Sequence, residues 1–162
     1  MQPTGKASSR RKLMALIAGF AVSLVGVVGY KVSPLLFPPK DVQVLPEAGC
    51  DLQRAGCTAI LPDGKIDFEF LTRPIPLARP FQVSLAVSGL EPRRVELDFA
   101  GVEMDMGYNR TVLQPTGGGH YRADVTIPVC VTGAMTWRAT VILHMRDRRL
   151  SIPYEFLTGE VH

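Results

Sequence analysis

The chain has 162 residues and a formal net charge of +3, with 46% hydrophobic and 20% charged side chains. Lys6, Arg10, Arg11 and Lys12 precede a long apolar run, and all 15 acidic residues follow it together with the remaining basic ones. The part that can fold is therefore close to neutral. It lacks the concentrated basic face that drives binding to phosphate backbones, which excludes nucleic acid as the expected partner.

Residues 1–12 read as a basic tail and residues 13–30, LMALIAGFAVSLVGVVGY, as a membrane helix without a charge. Such a helix spans about 27 Å at a rise of ~1.5 Å per residue, close to the thickness of a hydrocarbon core. Tyr30 and Lys31 occupy the position of an interfacial anchor, and the basic tail sets the N-terminus in the cytoplasm by the positive-inside rule. The expected layout is a single-pass inner-membrane protein with a periplasmic C-terminal domain. A cleaved signal peptide has the same basic start, but the residues after Val25 offer no small-x-small cleavage site, which favours an anchor. Residues 31–45 follow as a linker in which Pro34, Pro38 and Pro39 should stop the helix. Residues 46–162, roughly 120 in number, form one domain.

In this domain the pattern changes to period-two alternation. Seven strands are expected, over residues 66–71, 81–88, 94–99, 111–114, 121–127, 135–144 and 150–156. Phe81, Val83, Leu85 and Val87 share one face while Gln82, Ser84 and Ser88 share the other, as suits a sheet with one wet side. Turn residues lie at 88–92 and 115–119. The fold class expected is mainly β, an immunoglobulin-like β-sandwich of about seven strands.

Three cysteines leave one over in an oxidising compartment. Six residues lie between Cys50 and Cys57, a loop that a disulfide would close, and this is the leading pairing. Cys130 is then a free thiol, buried and inert or a soft metal ligand; in the alternative it pairs with Cys50 or Cys57.

Met104 and Met106 stand two apart in a segment that interrupts the strand pattern, so an extended loop would present both thioethers on one side. Thioether sulfur suits Cu(I), and His120, Cys130, Met135, His144 or Met145 would complete its coordination. The bland reading is that methionine fills irregular gaps in the core, and that His120 after three glycines is an exposed hairpin residue.

The stretch 103–141 resembles the YtkA-like and FixH-like exported domains. Met104, Met106 and Gly107 match a methionine pair with glycine, Gly119 and Tyr121 match a G-x-Y strand, and Gly133 with Trp137 matches a Gly and Trp region. Cys130 stands where the family often has methionine, and the Gly133 to Trp137 spacing is loosened. The resemblance implies a membrane-tethered β-sandwich that handles copper or helps to assemble a respiratory or other copper-dependent membrane complex. It carries Met104 and Met106 over as ligands, and His120 less directly.

Signals for catalysis are thin. No G-x-S-x-G is present, and residues 117–119 lack the Lys-Ser or Lys-Thr of a phosphate-binding loop. Asp67 and Glu69 alternate with Ile66, Phe68 and Phe70, which reads as the wet face of an edge strand. Arg146, Arg148 and Arg149 around Asp147 read as a solvated turn. The sequence thus points to a non-enzymatic copper-handling or assembly protein with a site at Met104, Met106, His120 and Cys130. Its alternative is an accessory subunit that acts through its β-sandwich and transmembrane helix, without metal.

Overall fold

The computed structural model describes residues 6–36, 40–104, 107–128 and 134–158. The chain divides into two compact units, Met1–Pro39 and Lys40–His162.

The first unit contains helix α1, Lys6–Leu36. Within it Arg10–Val32, 23 residues with a mean hydropathy of 2.2, is long and apolar enough to cross a membrane. Leu16, Phe20 and Val25 are each more than 70% exposed, so the helix is apolar without being buried in the protein. Its end differs from the expected one, because it continues through Pro34 to Leu36. Pro34 cannot donate to the carbonyl four residues earlier, so the helix continues to Leu36 with one backbone bond fewer in its last turns.

The second unit is mainly β. Among the described residues it has nine strands: β1 Lys40–Gln43, β2 Cys57–Leu61, β3 Gly64–Phe70, β4 Phe81–Ser88, β5 Arg94–Gly101, β6 Arg110–Gly117, β7 His120–Val125, β8 Met135–His144 and β9 Arg148–Thr158. They form one mixed sheet in the order β1-β9-β8-β5-β6-β7-β4-β3-β2. The seven expected strands correspond to β3–β9. β1 and β2 are additional, so the arrangement is a curled nine-stranded sheet. KDVQ in β1 is exposed along its whole length and carries no alternation for a sequence to reveal; its parallel pairing to β9 defines it as a strand. Because β2 pairs with β3, the latter is an inner strand and not the expected edge. The wet-face assignment of Asp67 and Glu69 stands, since Ile66, Phe68 and Phe70 are the buried set.

The sheet curls at β6. Val112 and Leu113 pair with β5, whereas Gln114 and Pro115 pair with β7, and the register shifts between Pro115 and Gly117. Proline cannot donate to a ladder, so the changeover falls where pairing is already interrupted. Curling brings the two apolar faces together. The ring of Phe70 in β3 lies 5.4 Å from Phe81 in its own half, and 6.3 Å from Phe99 and 5.2 Å from Phe156 in the other. Phe68 and Tyr154 meet across the same core at 5.2 Å.

The open side between β9 and β2 is bridged by residues 44–56. Val44 N–H donates to the Ser151 carbonyl and Glu47 N–H to the Thr58 carbonyl, tying this strap to β9 beside its pairing with β1 and to the outer strand β2. Leu52 is fully buried from it, and its carbonyl accepts a hydrogen bond from Arg73 Nε. Cys50 and Cys57 are joined by a disulfide, the leading pairing expected from the spacing. The hairpin between β6 and β7 turns on Gly117, Gly118 and Gly119, all with positive φ. A Cβ on Gly119 would meet the Val87 carbonyl oxygen at 2.4 Å, so glycine is required there by space as well as by conformation.

Leu52→Ala should destabilise the β domain by about 2–5 kcal/mol, the range for truncating a fully buried leucine. Replacing Cys50 and Cys57 together by alanine should cost about 2–3 kcal/mol, because so short a loop restricts the unfolded chain modestly. Urea unfolding followed by tryptophan fluorescence measures both, and a loss below about 0.5 kcal/mol for Leu52→Ala would show that the strap does not close the core.

Candidate functional site

The domain has two ends, set by the common direction of β3, β5 and β9. At one end lie the start of β1 and the connections 62–63, 89–93, 118–119 and 145–147; at the other lie the described connecting residues 71–80, 102–104, 107–109, 126–128 and 134. We call these the Lys40 end and the far end.

Met104 is at the far end, beyond the close of β5. Val102 N–H donates to the Thr136 carbonyl at 2.9 Å, and the Glu103 carboxylate accepts from Thr136 N–H at 3.2 Å. The Met104 side chain is 42% exposed. His120 is elsewhere. It opens β7 opposite Ala86, while Val125, five residues on, pairs with Phe81 beside Phe70. Five residues of strand span about 17 Å, and Met104 lies on the far side of that interval. Met104 and His120 thus belong to connections at opposite ends of the sheet, and the structure does not bring them together. The reason is topological: the hairpin glycines return β7 at the Lys40 end, whereas the methionine loop leaves β5 at the far end.

Met106 and Cys130 lie outside the described residues. Their described neighbours, Met104 and Gly107 for one and Pro128 and Ala134 for the other, belong to far-end connections. The other candidates for completing the coordination are occupied otherwise. Met135 is buried in the core, Met145 packs against it, and His144 bonds to Glu96. Among the described residues no group of three or more His, Cys, Asp or Glu side chains is placed to hold a metal ion.

His120 faces outward over a shallow groove with Thr58, Asp67, Glu69 and Ser84. Asp67 is engaged there, accepting from the Thr58 hydroxyl at 2.6 Å and pairing with Lys65 Nζ at 3.0 Å. Burial pushes the Asp67 carboxyl up, but these partners outweigh it and hold the pKa below its ordinary value.

The most enclosed charged group is one that the sequence does not single out. Glu96 is only 5% exposed, on the outer side of β5. His144 Nε2 approaches it at 2.8 Å, Arg94 Nη2 at 2.8 Å and Arg110 Nη1 at 3.7 Å. Arg110 also bonds Asp98 at 3.2 Å and lies over the Tyr108 ring. The register produces the cluster, for Arg94 is opposite His144 and Asp98 is opposite Arg110. Burial raises the Glu96 carboxyl, yet the bond and charge of His144 with the charges of Arg94 and Arg110 prevail, so its pKa is lowered. Alternation alone places Glu96 on a wet face; only the strand order reveals how its cationic partners cover it.

Arg148 and Arg149, expected in a solvated turn, instead open β9 and make exposed ion pairs, with Asp63 at 2.7 Å and Asp41 at 2.6 Å respectively. No family model, curated protein or solved structure matches the chain. The molecule is thus defined by its own features, a mainly β domain with one disulfide and one N-terminal apolar helix.

A lowered folded-state pKa makes Glu96 stabilising at neutral pH. That contribution is full above the unfolded value of about 4.3 and is lost as the pH falls through the folded value. Glu96→Gln should cost about 1–3 kcal/mol at pH 7, discounted because Arg94 is half exposed, and the gap to wild type should close below about pH 4. Thermal melts from pH 3 to about 8 measure this, and a gap that does not vary with pH would remove the charge network as its cause.

Proposed function

We propose that the chain is a membrane-anchored, non-enzymatic protein whose exported domain, read as an immunoglobulin-like sandwich, binds Cu(I) at its far end. Met104 and Met106 are the soft ligands in this reading, and Cys130 is the third. His120 is left out of the site. The observation that carries the proposal is the partly exposed Met104 at the end where the described neighbours of Met106 and Cys130 also lie. The resemblance of residues 103–141 to YtkA-like and FixH-like domains points the same way. Anchoring rests on α1, with the basic tail in the cytoplasm and the domain in the periplasm, where the Cys50–Cys57 disulfide is chemically at home. A respiratory or other copper-dependent membrane complex would be the recipient.

A second reading is favoured by the company that Met104 keeps. Val102 is 42% exposed and Tyr108 82% exposed in the same connection, so the far end offers an apolar surface as well as sulfur. An accessory subunit without metal would use that surface to dock on its complex.

Competition with bicinchoninate on the full chain in detergent separates the two. Even outer-shell partners change metal affinity ~10–100-fold, so Met104→Leu with Met106→Leu should weaken Cu(I) binding at least about tenfold, while His120→Ala stays within about twofold. Equal affinity in the double methionine variant and the wild type would remove these residues from any site and leave the docking reading. Extraction of membranes with alkaline carbonate tests the anchor: the intact chain should stay with the lipid, and release of a shortened chain would instead mark a cleaved signal sequence.

A further inference from the structure

β9 is longer than the strand beside it. It pairs with β8 from Arg149 to Thr158, whereas β1 covers only Arg148 to Ser151. The direction of the backbone groups beyond that point follows from two bonds. Met145 N–H donates to the Arg148 carbonyl in the β8–β9 turn, and facing pairs bond alternately from there, so the N–H and C=O groups of Ile152, Tyr154 and Phe156 serve β8. Val44 N–H donates to the Ser151 carbonyl, which places the groups of Ser151, and with it those of Pro153, Glu155 and Leu157, on the other edge. Proline at 153 fits this parity, since its missing N–H would have pointed out of the sheet.

After Val44 the chain leaves this edge to reach Thr58 in β2. Among the described residues only Gln53 returns to it, donating from Nε2 to the Leu157 carbonyl. The Pro153 carbonyl, both backbone groups of Glu155 and the Leu157 N–H thus have no protein partner among the described residues, over a span of about 13 Å. An open concavity of about 660 Å³ lies there, between Leu45, Glu47 and Cys50 of the strap and Arg138, Pro153 and Glu155 of the sheet. Its lining holds one cation, Arg138, which bonds Glu155 at 2.7 Å, and a second carboxylate, Glu47, that has no cationic partner among the described residues. Asp51 and Arg54, next along the strap, pair with each other. The concavity therefore carries a net charge of −1.

We propose that residues 153–157 of β9 accept an extended peptide of another protein as an added strand in line with β1, with a basic side chain beside Glu155 and Glu47. Open donors and acceptors at strand spacing are matched best by a second extended backbone, and main-chain bonding of this kind is how an exposed sheet edge binds a peptide. Every second side chain of the added strand lies on the outer face, where Glu155 stands between Pro153 and Leu157. Opposite charges on neighbouring strands favour pairing, so lysine or arginine is selected at that position and an acidic residue is rejected.

The test uses the full chain in detergent and one probe, a capped pentapeptide in which two lysines alternate with threonine, valine and threonine. Amide exchange followed by NMR should show Glu155 and Leu157 exchanging at least about tenfold faster than Tyr154 and Phe156 in the free chain, and slowing when the peptide saturates it. The fully N-methylated peptide should bind at least about tenfold more weakly, and the peptide with glutamate in place of both lysines about fivefold more weakly. Glu155→Gln should weaken binding of the lysine peptide about two- to fivefold. Glu155→Pro, which also removes the outward N–H but takes nothing from β8, should weaken it by a further factor of about three or more. Slow exchange of Glu155 and Leu157 in the free chain, no binding of the lysine peptide, or equal binding of its N-methylated form would overturn the proposal. Protection that rises with protein concentration alone would overturn it too, giving the edge to a second copy of the chain.

Discussion

A sheet with one apolar face must bury that face, and among the described residues of this domain it is covered chiefly by the other half of the same sheet. The contact that satisfies the requirement is centred on Phe70, whose ring touches Phe81 in its own half and Phe99 and Phe156 in the opposite one. Aromatic groups bury large areas and prefer the edge-to-face and tilted arrangements found here. Everything else serves that contact. β6 transfers the chain from one half to the other, and its proline falls at the changeover where a ladder donor is not needed. A curled sheet also leaves a seam between its first and last strands, and residues 44–56 fill it with Leu52 inside and the disulfide outside.

The outer surface follows a different rule. Polar side chains there gain little from packing, so they are organised by charge. Arg94, Arg110 and His144 come from three adjacent strands to cover the Glu96 carboxylate and favour its ionised form against the cost of burial. On the opposite outer face Asp67 is held by a hydroxyl and a lysine from the same face. These networks fix strand register from outside, while the aromatic cluster fixes it from within.

The apolar run of α1 and the alternating strands β3–β9 were legible in sequence because burial writes its own period. β1 was not, because KDVQ contributes no buried side chain and is defined only by its pairing with β9. β2 was missed because five residues beside a cysteine loop carry too little pattern. The disulfide could be ranked first from spacing, since a short loop limits the partners within reach. The site was legible only in part. Residue types pointed to Met104, Met106, His120 and Cys130, but which end of the sheet each connection occupies depends on strand order, and this parts His120 from Met104. Glu96 escaped notice for the same reason: two of its three partners lie 14 and 48 positions along the chain.

The pairing of β1 with β9 has a temporal consequence. Asp41 and Arg149 are 108 residues apart, so the strand that emerges first finds its partner only when nearly all of the chain has been made. Local hairpins such as β3–β4 and β6–β7 can form early, whereas the β1 contact waits for β8 and β9. Until then the open edge of β9 and the unfilled seam invite pairing with other chains. The sheet is therefore complete only once its last strand is in place, and a chain that stops short of β9 loses the partner of its first strand as well.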